Sequence, residues 1–233
     1  MRITPAPTRE EIVRADPLGE FLVWWDELTT EDVKRLEAAL LAATGERTLQ
    51  RFLQQVPLLL VQHLGGGHGR WVIPQKKLGA EHVTDFIIGE AHSFGHEWTA
   101  VELESPKAKM FTRTGDPSKE LTHAIRQIQD WRAWLKRNQD YASRARTQSG
   151  LGLHDIDSNI PGLVLIGRHE SISPTTDDRR RQMCQDLNIK IHSYDTLVDW
   201  AKARVKWCKE QQEKRRQNNG VQCTFDPQRV KRH

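Results

Sequence analysis

The sequence predicts a mixed α/β (α+β) domain, a central mixed sheet flanked by helices, and three observations carry that reading. Apolar residues recur at helical spacing over 33–43 and again over 49–56. Short apolar runs broken by Gly, His and Pro then fill 71–103, and the remainder alternates helix, strand, helix, strand, helix.

Each element has a local cause. Thr29 and Thr30 precede Glu31 and Asp32, an N-cap followed by acids that suit the positive end of a helix. Val33, Leu36, Leu40 and Ala43 continue that helix, with Gly45 expected to stop it. Leu49, Phe52, Leu53 and Val56 stand at i, i+3, i+4 and i+7 and end at Pro57. Trp71–Ile73, Val83–Ile88 and Trp98–Leu103 read as strands. Over 119–137, Leu121, Ala124, Ile125, Ile128, Trp131 and Leu135 share one helical arc. The polar stretch 138–161, with Gly150 and Gly152, reads as a long excursion. Leu163–Ile166 is a buried strand between Gly162 and Gly167, followed by a helix over 176–187, a strand over 189–192 and a last helix from Asp195.

The 233 residues are enough for one large domain, with 37% hydrophobic and 28% charged residues fitting a well-solvated globule. The expected division is an N-terminal segment and helix over 1–44, a catalytic-type domain over 45–210, and a basic, weakly structured tail over 211–233. No run of eighteen apolar residues exists, so no membrane span is expected. Met1–Pro7 lacks an apolar leader, and Cys184, Cys208 and Cys223 form no paired motif; both point to a reducing, cytoplasmic setting. Lys202–Arg232 holds ten Lys/Arg against three Asp/Glu, or +7, which leaves +4 − 7 = −3 on the rest. Such a segment either contacts phosphate or is a solvated helix face.

The candidate chemistry lies in the strands. Alternate strand residues share a face, so Asp85 falls with Val83 and Ile87, and Glu102 with Ala100 and Glu104. A carboxylate between Val101 and Leu103 is costly to bury unless it is paired or binds a metal. Neighbouring strands stand about 4.8 Å apart, which lets Asp85 and Glu102 approach one hard cation such as Mg²⁺ or Mn²⁺. Asp followed seventeen residues later by Glu-x-Glu is a weak pattern alone, and solvated acids at strand ends fit it as well. Glu46 and Gln127 add to it, because each lies at the border of an apolar helical arc.

Other motifs carry less. His63–Gly69 is glycine-rich but lacks the GK[ST] ending of a phosphate loop, although Arg70 beside it is a candidate phosphate contact. No HExxH or Cys/His cluster supports zinc, and no GxSxG elbow is present. His92 and His96 flank a hairpin glycine, and Arg179–Arg181 reads either as a phosphate contact or as an exposed helix face. Arg168 follows a buried strand, at a place where loops often carry function.

Taken together, GERTLQRFLQQVPLLL, KLGAEHVTDFIIG, WTAVELESP, LTHAIRQIQDW, VLIGR and SYDTL, in this order over roughly 45–200, resemble the nuclease domain of the Shedu antiphage defence family. The resemblance implies a PD-(D/E)XK restriction-endonuclease-like fold that cuts DNA with a divalent cation, Mg or Mn. It places Glu46, Asp85 and Glu102 as metal ligands and Gln127 as the glutamine of the helix after the strands, with Trp131 one turn on. Glu104 stands where the motif usually has lysine. Four accounts of that departure are open: Lys107 or Lys109 reaches back, Gln127 takes the positioning role, Glu104 joins the metal sphere, or the site only binds DNA. Lys107, Lys109, Arg168 and Arg70 are the expected nucleic-acid contacts. The resemblance also implies a homo-oligomer and leaves room for an activating partner. The expected activity is a metal-dependent DNA endonuclease; the alternative is a degenerate DNA-binding or assembly module on the same fold.

Overall fold

The computed structural model describes residues 8–65, 69–171 and 173–220. A five-stranded mixed sheet lies between two layers of helix, as the sequence pattern predicts. In chain order the helices and strands begin α1 (Arg9–Ala15), α2 (Thr30–Ala42), α3 (Glu46–Gln55), β1 (Gly69–Pro74), β2 (Lys77–Leu78) and β3 (His82–Val83). They continue β4 (Phe86–His92), β5 (Gly95–Leu103), α4 (Lys119–Ser143), β6 (Gly162–Leu165), α5 (Pro174–Leu187), β7 (Ile189–His192) and α6 (Tyr194–Gly220).

The sheet order is β1-β4-β5-β6-β7. β1, β4 and β5 form an antiparallel meander, whereas β5, β6 and β7 run parallel because α4 and α5 cross over between them. β2 and β3 make a separate two-stranded ribbon. Strand alternation splits the core in two. Ile73, Ile87, Ala100 and Val164 pack beneath Ile125, Ile128 and Trp131 of α4, with α5 beside them. Val72, Ile88, Val101, Leu103 and Leu165 pack on the other face against Leu36, Leu49, Leu53 and Leu197 from α2, α3 and α6.

Several local expectations change. Helix α1 occupies the stretch read as irregular, set by a Thr8–Glu11 capping box. Gly45 does not end α2, which stops at Ala42; it is the N-cap of α3. The strand expected over 83–88 is broken at Thr84 and Asp85, so Asp85 sits in the bend that opens β4. α4 runs to Ser143 with a kink at Asn138, whose amide donates to the Trp134 carbonyl (2.9 Å). The excursion that follows is packed: Leu153, Ile156 and Ile160 are buried, and Trp98 donates to the His154 carbonyl (2.6 Å). α6 extends to Gly220, well past the expected onset of the tail at 211. Residues 66–68 of the glycine-rich turn, Met1–Pro7, Cys223 and the rest of the tail lie outside the described residues.

The basic segment is partly turned onto the protein itself. Lys202 pairs with Glu37 (2.7 Å), and Arg204 lies over Trp25 (4.6 Å) and donates to the carbonyls of Gln62 and Leu64.

Close approach of α4 to the sheet is set at Gly162, where an added Cβ meets Ile128 Cδ1 and Ile189 Cγ1 at 2.9 Å each. Gly162→Ala therefore overpacks the α4 face and lowers the unfolding free energy by about 1–3 kcal/mol, measured by urea denaturation.

Candidate active site

The antiparallel register places the acids. Phe86 pairs with Val101, so the next position along the ladder sets Asp85 opposite Glu102. The ladder stops there because the chain bends at Asp85, and its carboxylate replaces the missing backbone acceptor. Oδ2 accepts from the Leu103 N–H (2.8 Å), and Oδ1 accepts from Gln50 Nε2 (2.5 Å). Glu102 shares the face of Ala100, beneath α4, and is 4% exposed.

Both faces contribute to this end of the sheet. α3 begins at Glu46 and brings Gln50 one turn later; the positive end of the helix favours an acid there. α4 brings Gln127 to Glu102 and, one turn earlier, His123, whose Nδ1 lies 3.1 Å from Glu104 Oε1. Glu104 follows β5; its N–H donates to the Leu165 carbonyl (2.8 Å) and its carbonyl accepts from the Tyr194 hydroxyl (2.8 Å).

The electrostatics follow from this crowding. Burial, then the charges of Asp85, Glu46 and Glu104, push the Glu102 carboxyl up to about 10, against the opposing effect of Gln127. Burial also raises Asp85 to about 6, while the Leu103 N–H and Gln50 work the other way. Glu46 and Glu104 are raised, chiefly by burial, and His123 offsets part of each shift. Burial, reinforced by the acids, also raises the Tyr194 phenol well above its ordinary value.

Two buried oxygens, Glu102 Oε2 and Gln127 Oε1, have no hydrogen-bond donor among the described residues. Hard oxygens left unfilled beside several carboxylates suit a divalent cation that keeps part of its water shell. Among the described residues, no three Asp, Glu, His or Cys side chains already converge on a single ion position. A cation there would therefore be held by few protein ligands, with water or substrate oxygens completing its sphere.

The structure thus brings Glu46, Asp85, Glu102, Glu104 and Gln127 to one end of the sheet. It does not bring Arg70. That side chain is 2% exposed, lies 3.3 Å from Glu90 and sits 5.5 Å over Trp25, because alternation along β1 turns it inward. Lys107, Lys109 and Arg168 line a cleft of about 1020 Å³ that starts at Pro106, two residues after Glu104. The acids are not part of its lining. Lys107 and Lys109 reach its solvent-open side, whereas Arg168 is bonded to Asp195 (2.7 Å). Of the three arginines at 179–181, Arg180 and Arg181 pair with Asp177, and Arg179 pairs with Asp116 (3.6 Å).

Sequence reasoning missed Gln50, His123, Tyr194 and Arg113. Gln50 and His123 stand four residues from Glu46 and Gln127, so helical spacing was the available signal. Arg113, exposed on the loop after β5, faces the same cleft, a placement that local pattern does not carry.

A cluster of buried and half-buried acids at one end of a mixed α/β sheet makes a candidate centre for divalent-cation chemistry. Residues 43–198 match the family model described as the C-terminal part of the Shedu protein SduA, and the chain belongs to the Shedu family. No curated protein matches the chain. Among solved structures, one described as the restriction endonuclease FokI bound to DNA is similar at 14% identity with a TM-score of 0.34. The match covers 87% of this chain and spans 31% of that one. Among the described residues, no helix is long and apolar enough to cross a membrane.

The Glu102 shift has a measurable sign. Its folded value, about 10, lies above the ordinary 4.5, so the folded protein holds a proton that the unfolded chain releases. The stability it contributes is complete below about 4.5 and is lost as pH rises towards about 10. In EDTA, the unfolding free energy falls between about pH 6 and 9 by up to about 1.4 kcal/mol per unit, and Glu102→Gln flattens the slope. A slope that persists in Glu102→Gln assigns the proton to another group.

Proposed function

We propose that the protein is a divalent-metal-dependent DNA endonuclease of antiphage defence, with the PD-(D/E)XK arrangement that its family resemblance implies. The observation that carries this reading is the pairing of Asp85 and Glu102 across the end of the β4–β5 ladder, beside two buried oxygens without donors among the described residues. A bound Mg²⁺ or Mn²⁺ supplies charge neutralisation at the scissile phosphate and a more acidic water. Asp85 and Glu102 would hold it, and Glu46 would complete the set by moving towards them, since the three do not already converge. The Leu103 N–H and Gln50 fix the Asp85 carboxylate, and Gln127 orients Glu102 together with water or a phosphate oxygen. Burial keeps bulk water from Glu102 and Glu104, whereas Asp85 and Glu46 stay partly open to solvent.

DNA runs from these acids into the basic cleft. Lys107, Lys109 and Arg113 line it, and each adds a phosphate contact that salt weakens. Arg168, held by Asp195, also lines it. Glu104 in the lysine position favours a second reading, a DNA-binding module that no longer cuts.

Cleavage of linear and supercoiled DNA with Mg²⁺, Mn²⁺ or EDTA separates the two. Wild type cuts only with metal, and Asp85→Ala loses more than about 100-fold, as for removal of a group acting on transition-state charge. Mn²⁺ raises the unfolding temperature of wild type and not of Asp85→Ala. A wild type that stays silent while Glu104→Lys cuts establishes the binding module instead. In EDTA, Lys107→Ala and Lys109→Ala each lower the slope of log affinity against log salt by about 1.

A further inference from the structure

The lysine position of the motif is occupied by an acid, and that acid is not left to itself. Glu104 is 7% exposed, and its main chain is fixed on both sides, by the Leu165 carbonyl and by the Tyr194 hydroxyl. Its side chain meets His123 Nδ1 at 3.1 Å. An ionised Glu104 can only accept, so in that state the contact requires the ring hydrogen on Nδ1, the nitrogen facing the acid. His123 stands on the first turns of α4, one turn before Gln127, so a single helix presents both side chains to the end of β5. The histidine side chain is half exposed, 51%, beside a Glu104 side chain that is 9% exposed.

We propose that His123 is a positioning residue for the reaction. By donating Nδ1–H to Glu104 Oε1, it fixes the orientation of a carboxylate that takes the place of lysine, so that the other oxygen of Glu104 is presented to the attacking water. The lysine position is then filled by a Glu–His pair assembled from β5 and α4. This rests on the nuclease reading above and adds to it a residue outside the strand motif. The competing account is an incidental contact: a half-exposed histidine on a helix surface that meets an acid by proximity alone contributes little and is replaceable by any side chain of similar size.

Three variants and one spectrum decide between them. His123→Asn keeps a donor near the Nδ1 position, whereas His123→Leu keeps bulk without a donor. We expect His123→Leu to lose on the order of 10–100-fold in metal-dependent DNA cleavage, the usual cost of an outer positioning group, with the unfolding temperature little changed. His123→Asn recovers most of that loss. Independently of cutting, ¹⁵N NMR of the histidine ring shows the Nδ1–H tautomer in wild type and its loss in Glu104→Ala. Equal cleavage by wild type and His123→Leu overturns the proposal, as does a ring that keeps one tautomer with or without Glu104. A wild type that never cuts removes the nuclease reading and this one with it, whereas an active wild type indifferent to His123 removes this one alone.

Discussion

The hydrogen bond from the Leu103 N–H to Asp85 Oδ2, 2.8 Å long, is where strand pairing changes into site architecture. Up to Phe86 and Val101 the two strands satisfy each other with backbone groups. One residue further, the bend at Asp85 removes a backbone acceptor, and the side chain supplies one. A buried N–H left without a partner costs about 1–3 kcal/mol, so the carboxylate is anchored by a need of the sheet itself. That anchoring sets Asp85 across from Glu102, and every other group of the site is arranged around this pair.

Such a pair is expensive to maintain. Glu102 is pushed up to about 10 because burial and three neighbouring acids all oppose its charge. The fold tolerates this through rigid surroundings: α4 seated closely on Gly162, α3 starting at Glu46, and the Tyr194 hydroxyl on the Glu104 carbonyl. The two core faces have separate roles here. The α4 face brings an amide and an imidazole, and the α3 face brings an acid and an amide, so the acids are gripped from both sides of the sheet.

The layout of the sheet and its helices was legible because period and punctuation carry it. The arc from Leu121 to Leu135 can only be a helix face, and the run at Leu163 can only be buried. Asp85 and Glu102 stood out because an acid inside an apolar strand demands a reason. What was not legible depends on distance in sequence. Gln50 and Asp85 are 35 residues apart, and His123 and Glu104 are 19 apart, so neither contact leaves a local trace. Arg70 shows the converse. Its neighbouring glycines suggested a phosphate contact, but alternation in β1 turns the side chain inward to Glu90, where it forms a buried ion pair.

The separation of acids from cations has a consequence for order of binding. A phosphate approaching four carboxylates meets repulsion, and the cluster lowers its own charge by keeping Glu102 protonated. A divalent cation entering this end of the sheet would displace that proton, since its oxygen ligands bind as carboxylates. On the proposed nuclease reading, only then would the site attract a phosphodiester. The basic cleft from Lys107 to Arg113 lies apart from the acids, which are not part of its lining. On that same reading, a nucleic acid could be held by the cleft before the acids receive a metal ion. Under the nuclease proposal, retention and cutting would draw on different residues, with the metal ion as the switch between them.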